Sequence, residues 1–255
     1  MSTTRDPEPL GAPAVQPGAP WGPVELFPTL GSTNDEVRER PRPWRVVVAE
    51  RQESGRGRLG RTWSTTPGTS LAVSVLVPAP ASGPAWVPLF AGLALHRAVE
   101  EVSGVATVLK WPNDVLVPAD GDRKLAGILC EWLPEGVVVG TGVNVDTARE
   151  DLPLPTATSL RAAGRPGVDR AGLLTAYLRR FAEVLRADTG PDGPSVSGYR
   201  EACGTLGRDV EVHAPDGTVR TGTATGVDDA GRLAVRTAAG TEPVSAGDVV
   251  HVRDR

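Results

Sequence analysis

Apolar positions in this chain change period several times, and each change predicts an element. Residues 44 to 50, "WRVVVAE", form a β-branched run that predicts a buried strand. In residues 69 to 77, "TSLAVSVLV", Leu71, Val73, Val75 and Val77 recur at every second position, which places them on one face of a second strand. Residues 84 to 104 switch to helical spacing through Leu89, Leu93 and Val99, with Gly104 placed to stop the helix. Strand character then returns. "ATVLKWPNDVLV" (106 to 117) predicts strand, Pro-Asn-Asp turn and strand, and "KLAGILCEWL" with "GVVVGTGVNV" predicts another pair about a turn at Pro134 to Gly136. A second helix is expected from Asp169, a candidate N-cap, along an apolar stripe of Leu173, Leu174, Tyr177, Leu178, Phe181 and Leu185. Antiparallel hairpins with packed helices make an α+β fold, with a mixed or antiparallel sheet.

Near residue 204 the texture changes. Short Val-rich runs, "DVEVHA", "GTATGVD", "RLAVRT" and "DVVHV", alternate with turn signals at Asp216-Gly217, Asp229 to Gly231 and Ala239-Gly240, which predicts a small all-β barrel over 204–255. The larger domain is then expected over 24–203. Residues 1–23 are rich in Pro, Gly and Ala without periodicity and predict an extended, mostly unstructured leader outside the fold. No repeat of fixed period is present, which removes solenoid and propeller folds.

Composition narrows the function. At 255 residues and 40% apolar content the chain can bury a large core, and 27 basic against 31 acidic residues argue against binding nucleic acid through bulk positive charge. Any basic site must be local. Cys130 and Cys203 form no C-x-x-C pair and have no histidine at zinc spacing, so a reducing, cytoplasmic setting is expected. There is no signal-peptide pattern, and no apolar run reaches the roughly 18 residues of a membrane span. Walker A, G-x-S-x-G and H-E-x-x-H motifs are absent, and His96, His213 and His251 lie in a predicted helix and the predicted barrel. Chemistry is left to Arg, Lys, Asp and backbone amides acting on anionic reactants.

Four polar, glycine-punctuated segments interrupt or end predicted strands, where sites tend to be built. Ser32, Thr33 and Asn34 in "GSTNDE" form either an ordinary helix cap or a fan of neutral donors and acceptors for a polar ligand. "ERQESGRGRLGRTW" (50 to 63) links two core strands, so it is a loop between anchored ends. Arg56, Arg58 and Arg61 repel one another without an anion, while the glycines between them let backbone N–H groups turn toward phosphate, which together read as an anion clamp. In "KWPND", Lys110 is a solvated strand-end charge or a phosphate contact, and Asn113-Asp114 a turn or part of the site. Lys124 either snorkels from the apolar run behind it or points at a carboxylate or phosphate. "GTGVNV" is half of a dinucleotide fingerprint without its helix. Trp63 and Trp111 are core packing, or an aromatic face beside the clamp.

Taken in order, "STND", "GRGRLGRTW", "KWPNDV", "KLAGILCE" and "GTGVNV" resemble the catalytic domain of the biotin protein ligases, or biotin–acetyl-CoA-carboxylase ligases, over residues 24 to 200. The tail resembles that family's SH3-like C-terminal domain. The resemblance implies a fold like that of class II aminoacyl-tRNA synthetases, formation of biotinyl-5′-AMP from biotin and ATP, and transfer of biotin to one lysine of a biotin carboxyl carrier domain. It implies that Ser32, Thr33, Asn34, Gln52, Arg56, Gly57, Arg58, Lys124 and Gly127 hold biotin. It implies nucleotide contacts from Arg56, Arg58, Arg61, Trp63, Asn113 and Asn144, and catalytic roles for Arg58, Lys110, Asp114 and Lys124. Trp63 would shield the adenylate from water, and Mg²⁺ is expected on the ATP phosphates. Asp114 would orient the acceptor lysine, act as its base or help bind metal.

Three departures qualify the resemblance. Leu59 stands where many members carry another arginine, and "VLVPADGDR" leaves room for a longer surface turn. No helix-turn-helix pattern precedes residue 24, so a ligase without an operator-binding domain, making no DNA contact, is expected, either monomeric or homodimeric. The competing readings are a lipoate or octanoate transferase of the same fold and a non-enzymatic nucleotide- or nucleic-acid-binding module.

Overall fold

The computed structural model describes residues 10, 15–214 and 217–252. The expected turn at Asp216-Gly217 falls partly outside them. The larger sheet has seven strands: β1 (Val24–Leu30), β2 (Val46–Gln52), β3 (Ser70–Val77), β4 (Val108–Lys110), β5 (Asp114–Val117), β6 (Arg123–Leu133) and β7 (Gly136–Asn144), in the spatial order β1-β2-β3-β7-β6-β5-β4. Only β1 and β2 pair in parallel, so the sheet is mixed.

Alternation along the strands explains the layering. Val46 and Val48 of β2, with Val73, Val75 and Val77 of β3, join the main core, while Val47 and Leu76 join a small cluster with Val37 and Val138. Successive side chains point to opposite faces, and both faces of the middle strands are apolar. Helices α2 (Val87–Ser103) and α3 (Arg170–Arg186) belong to the main core through Leu89, Leu93, Leu173, Tyr177 and Phe181. The short α1 (Thr33–Glu39) contributes Val37 to the small cluster. Much of the α1 side of the sheet is left for the site.

The predicted ends have physical causes. Asp169 caps α3 by accepting from the N–H groups of Ala171 and Gly172, both at 3.0 Å. Gly104 ends α2 at φ 69°, with its N–H on Glu100 O at 2.8 Å. β2 begins at Val46, later than expected, because Trp44 turns the chain at φ 64°. In the larger domain three elements were not foreseen, β1, α1 and α4 (Pro194–Ala202), and in the tail a fifth strand over Gly240–Val244 was not. β1 has its Pro28 in an edge strand, and α1 is only seven residues long, too short to show a period.

The leader needs correction. Leu10, Val15 and Trp21 are buried in the main core, and the Trp21 indole donates to Leu178 O at 2.7 Å and meets Trp44 edge-on. Proline and glycine hid three separate anchors. The C-terminal strands β8 (Asp209–His213), β9 (Val219–Val227), β10 (Leu233–Thr237), β11 (Gly240–Val244) and β12 (Asp248–His251) form one antiparallel sheet in the order β11-β10-β9-β8-β12. Indole N–H groups join it to the larger domain, from Trp86 to Asp229 O at 2.9 Å and from Trp111 to Gly231 O at 3.0 Å.

Candidate active site

Strand register assembles the site. Lys110 pairs with Asp114, Asp114 with Gly127, Gly127 with Gly142, and Gly142 with Ala72. One cross-strand row therefore runs from two charged residues into two glycines and an alanine. The middle of that row has no side chains, and the Trp63 indole lies in the resulting trough: a Cβ at Gly142 would come within 2.2 Å of the ring. Lys124 Nζ lies 5.8 Å from the centre of the same ring, within cation–π range. The indole Nε1 is buried with no hydrogen-bond partner among the described residues.

Around the trough is a cleft of about 1940 Å³, and all fifteen residues selected from the sequence line it. They divide into a neutral end and a cationic end. At the neutral end, Thr33 donates to Gln52 Oε1 through its N–H (2.9 Å) and its hydroxyl (3.1 Å). Ser74 Oγ lies 2.7 Å from Thr33 Oγ1 and 2.6 Å from Asn34 Oδ1, and Asn34 Nδ2 donates to Glu131 at 2.7 Å. Gly140 makes room for this, since a Cβ there would meet Asn34 Oδ1 at 2.3 Å. Ser32 is the N-cap residue of α1 but makes no side-chain cap bond. Farther along β7, Asn144 donates to Thr158 O at 2.9 Å.

The cationic end gathers Arg58, Arg61, Lys110 and Lys124. Lys124 Nζ is 2.7 Å from Asp114 Oδ1, an ion pair rather than a snorkelling contact. Burial lowers the pKa of Lys110, against the raising influence of Asp114 and Asp248 and with the help of Lys124 and Arg61. Burial also lowers that of Arg58, whose guanidinium donates to Asn113 Oδ1 at 3.0 Å. Asn113 in turn donates to Ile128 O at 2.9 Å, so the turn after Trp111-Pro112 is tied to β6.

The loop arginines have different partners, which corrects the expectation that they need an external anion. Arg56 makes a two-pronged pair with Asp35, 2.7 Å on each prong, and a longer one with Glu131 at 3.5 Å. Arg61 pairs with Asp248 of β12. Gly57 N–H donates to Arg61 O at 2.6 Å, which closes the tip of the loop, and Leu59 at the tip is exposed. Trp63 lies on the floor of the cleft rather than at its edge. The turn 118–122, expected to be a surface variation, holds Asp120, which accepts from Arg123, Arg149 and Thr158, and Asp122, which pairs with Arg208.

Sequence reasoning missed Asp35, Ser74, Glu131 and Asp248. Ser74 carries a faint signal as the polar residue on the alternate face of an apolar strand. Asp248 carries none, because its partner is 187 residues away.

This mixed sheet, with glycine-floored trough and cationic cleft, defines a ligase-type catalytic domain: the biotin/lipoate A/B protein ligase family matches residues 27–147, and the biotin protein ligase C-terminal domain matches residues 205–252. The chain is 36% identical over 247 residues to the biotin–[acetyl-CoA-carboxylase] ligase of Mycobacterium tuberculosis, covering 92% of this chain and 91% of that protein. Its fold is similar to the Aquifex aeolicus biotin protein ligase in complex with biotin and ATP (TM-score 0.74, 26% identity, 91% and 99% of the two chains). It is also similar to the Leishmania major biotin protein ligase in complex with biotinyl-5-AMP (TM-score 0.61, 25% identity, 90% and 100%). The chain belongs to the biotin protein ligase family.

Proposed function

We infer that this chain is an ATP-dependent, AMP-forming biotin–[acetyl-CoA-carboxylase] ligase. It forms biotinyl-5′-AMP from biotin and ATP with release of pyrophosphate, then transfers biotin to a lysine of a biotin carboxyl carrier domain. The observation that carries this reading is the row Lys110–Asp114–Gly127–Gly142, which sets cations and a carboxylate beside a flat, side-chain-free trough. Relatives named for biotin, ATP and biotinyl-5-AMP support it.

In the first step the biotin carboxylate attacks the α-phosphorus and pyrophosphate leaves. Two anions must approach, so the groups that help are fixed cations where charge develops. Lys124 takes the carboxylate and then the adenylate it becomes, while Arg58 and Lys110 stabilise phosphate charge. Ser32, Thr33, Asn34, Gln52, Gly57 and Gly127 form the polar, close-approach part of the biotin pocket, and Arg61, Trp63, Asn113 and Asn144 serve the nucleotide. Arg56, bound to Asp35, fixes the loop's entry and presents its guanidinium to the biotin and nucleotide side of the cleft. Trp63, packed in the trough, shields the mixed anhydride from water on that side.

In the second step the acceptor amine, with a reference pKa of about 10.4, must lose a proton before attacking the acyl carbon and expelling AMP. Asp114, the carboxylate beside Lys124, would orient that amine or receive its proton. Mg²⁺ is expected as a companion of the ATP phosphates, with Asp114 as the carboxylate at hand. When bound it neutralises phosphate charge.

Incubation with ATP, biotin and a carrier domain is expected to give a streptavidin-reactive carrier. Lys124→Ala should cut adenylate formation at least about tenfold, the scale of losing a charge-assisted contact, and Arg58→Gly should speed adenylate escape. Modification with lipoate but not biotin would overturn the assignment.

A further inference from the structure

The cationic cleft is closed on one side by a carboxylate from the other domain. Asp248 opens β12 and pairs with Arg61 of the loop. Its position is set tightly from behind: a Cβ on Gly247 would meet Val212 at 2.8 Å and His213 O at 3.0 Å, and Asp248 itself is in register with His213. Arg61 is largely exposed, Leu59 and Gly60 are exposed and Arg58 is half-buried, so packing does little to hold the loop tip.

The charges do not balance. Of the carboxylates that line the cleft, Asp122 pairs with Arg208, Glu211 lies against His213 and Asp209 accepts from Thr223, which leaves Asp114 and Asp248 for Arg58, Arg61, Lys110 and Lys124, and Asp114 is committed to Lys124 at 2.7 Å. Asp248 is thus the remaining anion for three cations. Burial works against its charge, but the hydrogen bond from Arg61 and the charges of Arg61, Lys110 and Arg58 outweigh burial and hold the Asp248 pKa below the usual carboxylate value.

We propose that Asp248 is an internal stand-in for nucleotide phosphate: it holds Arg61 and the neighbouring cations together before ATP arrives, and the polyphosphate displaces it. The proposal rests on the ligase reading only in taking nucleotide phosphate as the natural anion. A polyphosphate carries several charges where Asp248 carries one, so it wins the cations by Coulomb attraction while Asp248 competes with it. The exchange moves Arg61 from the C-terminal sheet to the ligand. Asp248 is therefore a positioning residue that orders the cations before ATP arrives at the expense of nucleotide affinity.

The test is Asp248→Asn, which keeps size and removes charge. The KM for ATP is expected to fall about three- to fivefold, the scale of one exposed ion pair, with the KM for biotin unchanged and the difference shrinking at high salt. Asp248→Glu should restore the wild-type KM. Inorganic tripolyphosphate, titrated calorimetrically without biotin, should bind Asp248→Asn more tightly than wild type by a similar factor, a result independent of the ligase reaction. An ATP KM and tripolyphosphate affinity unchanged or weakened in a variant of wild-type melting temperature would overturn the proposal. If Asp248→Asn does not fold, Asp248→Ser carries the same two expectations. Failure of the wild type to biotinylate a carrier would overturn the ligase reading and leave the tripolyphosphate result standing.

Discussion

One hydrogen in place of a methyl group decides the floor of this site. Gly142 accepts the face of Trp63 only because it has no Cβ, and Gly127, its partner in register, extends the same floor. Gly142→Ala should leave the fold intact, because the indole is a side chain that can swing away, but it should free residues 55–62 from the trough. Limited trypsin digestion is expected to cut after Arg56, Arg58 or Arg61 several-fold faster in the variant at an unchanged melting temperature. The same scale separates three arginines that look alike in "GRGRLGR". Arg56 is answered by Asp35, Arg58 by a neutral amide and Arg61 by Asp248. The residue types were legible in the sequence because chemistry between anions needs cations. Their partners were not, because each lies tens of residues away.

At the scale of elements, α1 is a seven-residue helix that cannot stand alone, and ion pairs fasten it. Buried Arg45 donates to Glu25 at 2.8 Å through both Nε and Nη2, to Glu36 of α1 at 2.7 Å, and to Glu36 O at 2.6 Å. Arg45's hydrogen bond lowers the Glu25 pKa against burial. For Glu36 burial pushes upward most strongly, but hydrogen bonds and charges from Arg45 and Arg40 outweigh it and the pKa is again lowered. Carboxylates depressed in the folded state contribute stability above their unfolded value of 4.5, and that contribution is lost as pH falls through the lower native values. Hydrogen exchange should accordingly show α1 losing protection below pH 4.5 before α2 and α3 do. In Arg45→Gln the loss should begin at higher pH. The long elements α2, α3, β3 and the β6–β7 pair were readable from period and caps. β1, α1 and α4 were not, since an edge strand with an internal proline and two helices of seven and nine residues carry too few periods.

At the scale of the molecule, the row Lys110–Asp114–Gly127–Gly142 adjoins a domain joint. Trp111 sits in the turn between Lys110 and Asp114, is buried, and hands its indole N–H to Gly231 O of the C-terminal sheet. Its backbone N–H donates to Thr205 Oγ1 at 3.1 Å. Trp111→Phe keeps most of the apolar volume but leaves that carbonyl without its donor, so chemical denaturation should show a loss of about 1–3 kcal/mol. Among the described residues no helix is long and apolar enough to cross a membrane. The sequence by itself determined the α+β class, the change of texture near residue 204 and the two long helices, through local period and capping, while its ordered motifs and their resemblance to a known family singled out fifteen of the residues that line the cleft. Tertiary structure alone decided that Leu10, Val15 and Trp21 belong to the core, that Lys110, Asp114, Gly127 and Gly142 share one row, and that Asp248 faces the loop. Strand register and domain contacts join residues far apart in the chain, and no local pattern encodes which of many carboxylates or glycines will meet.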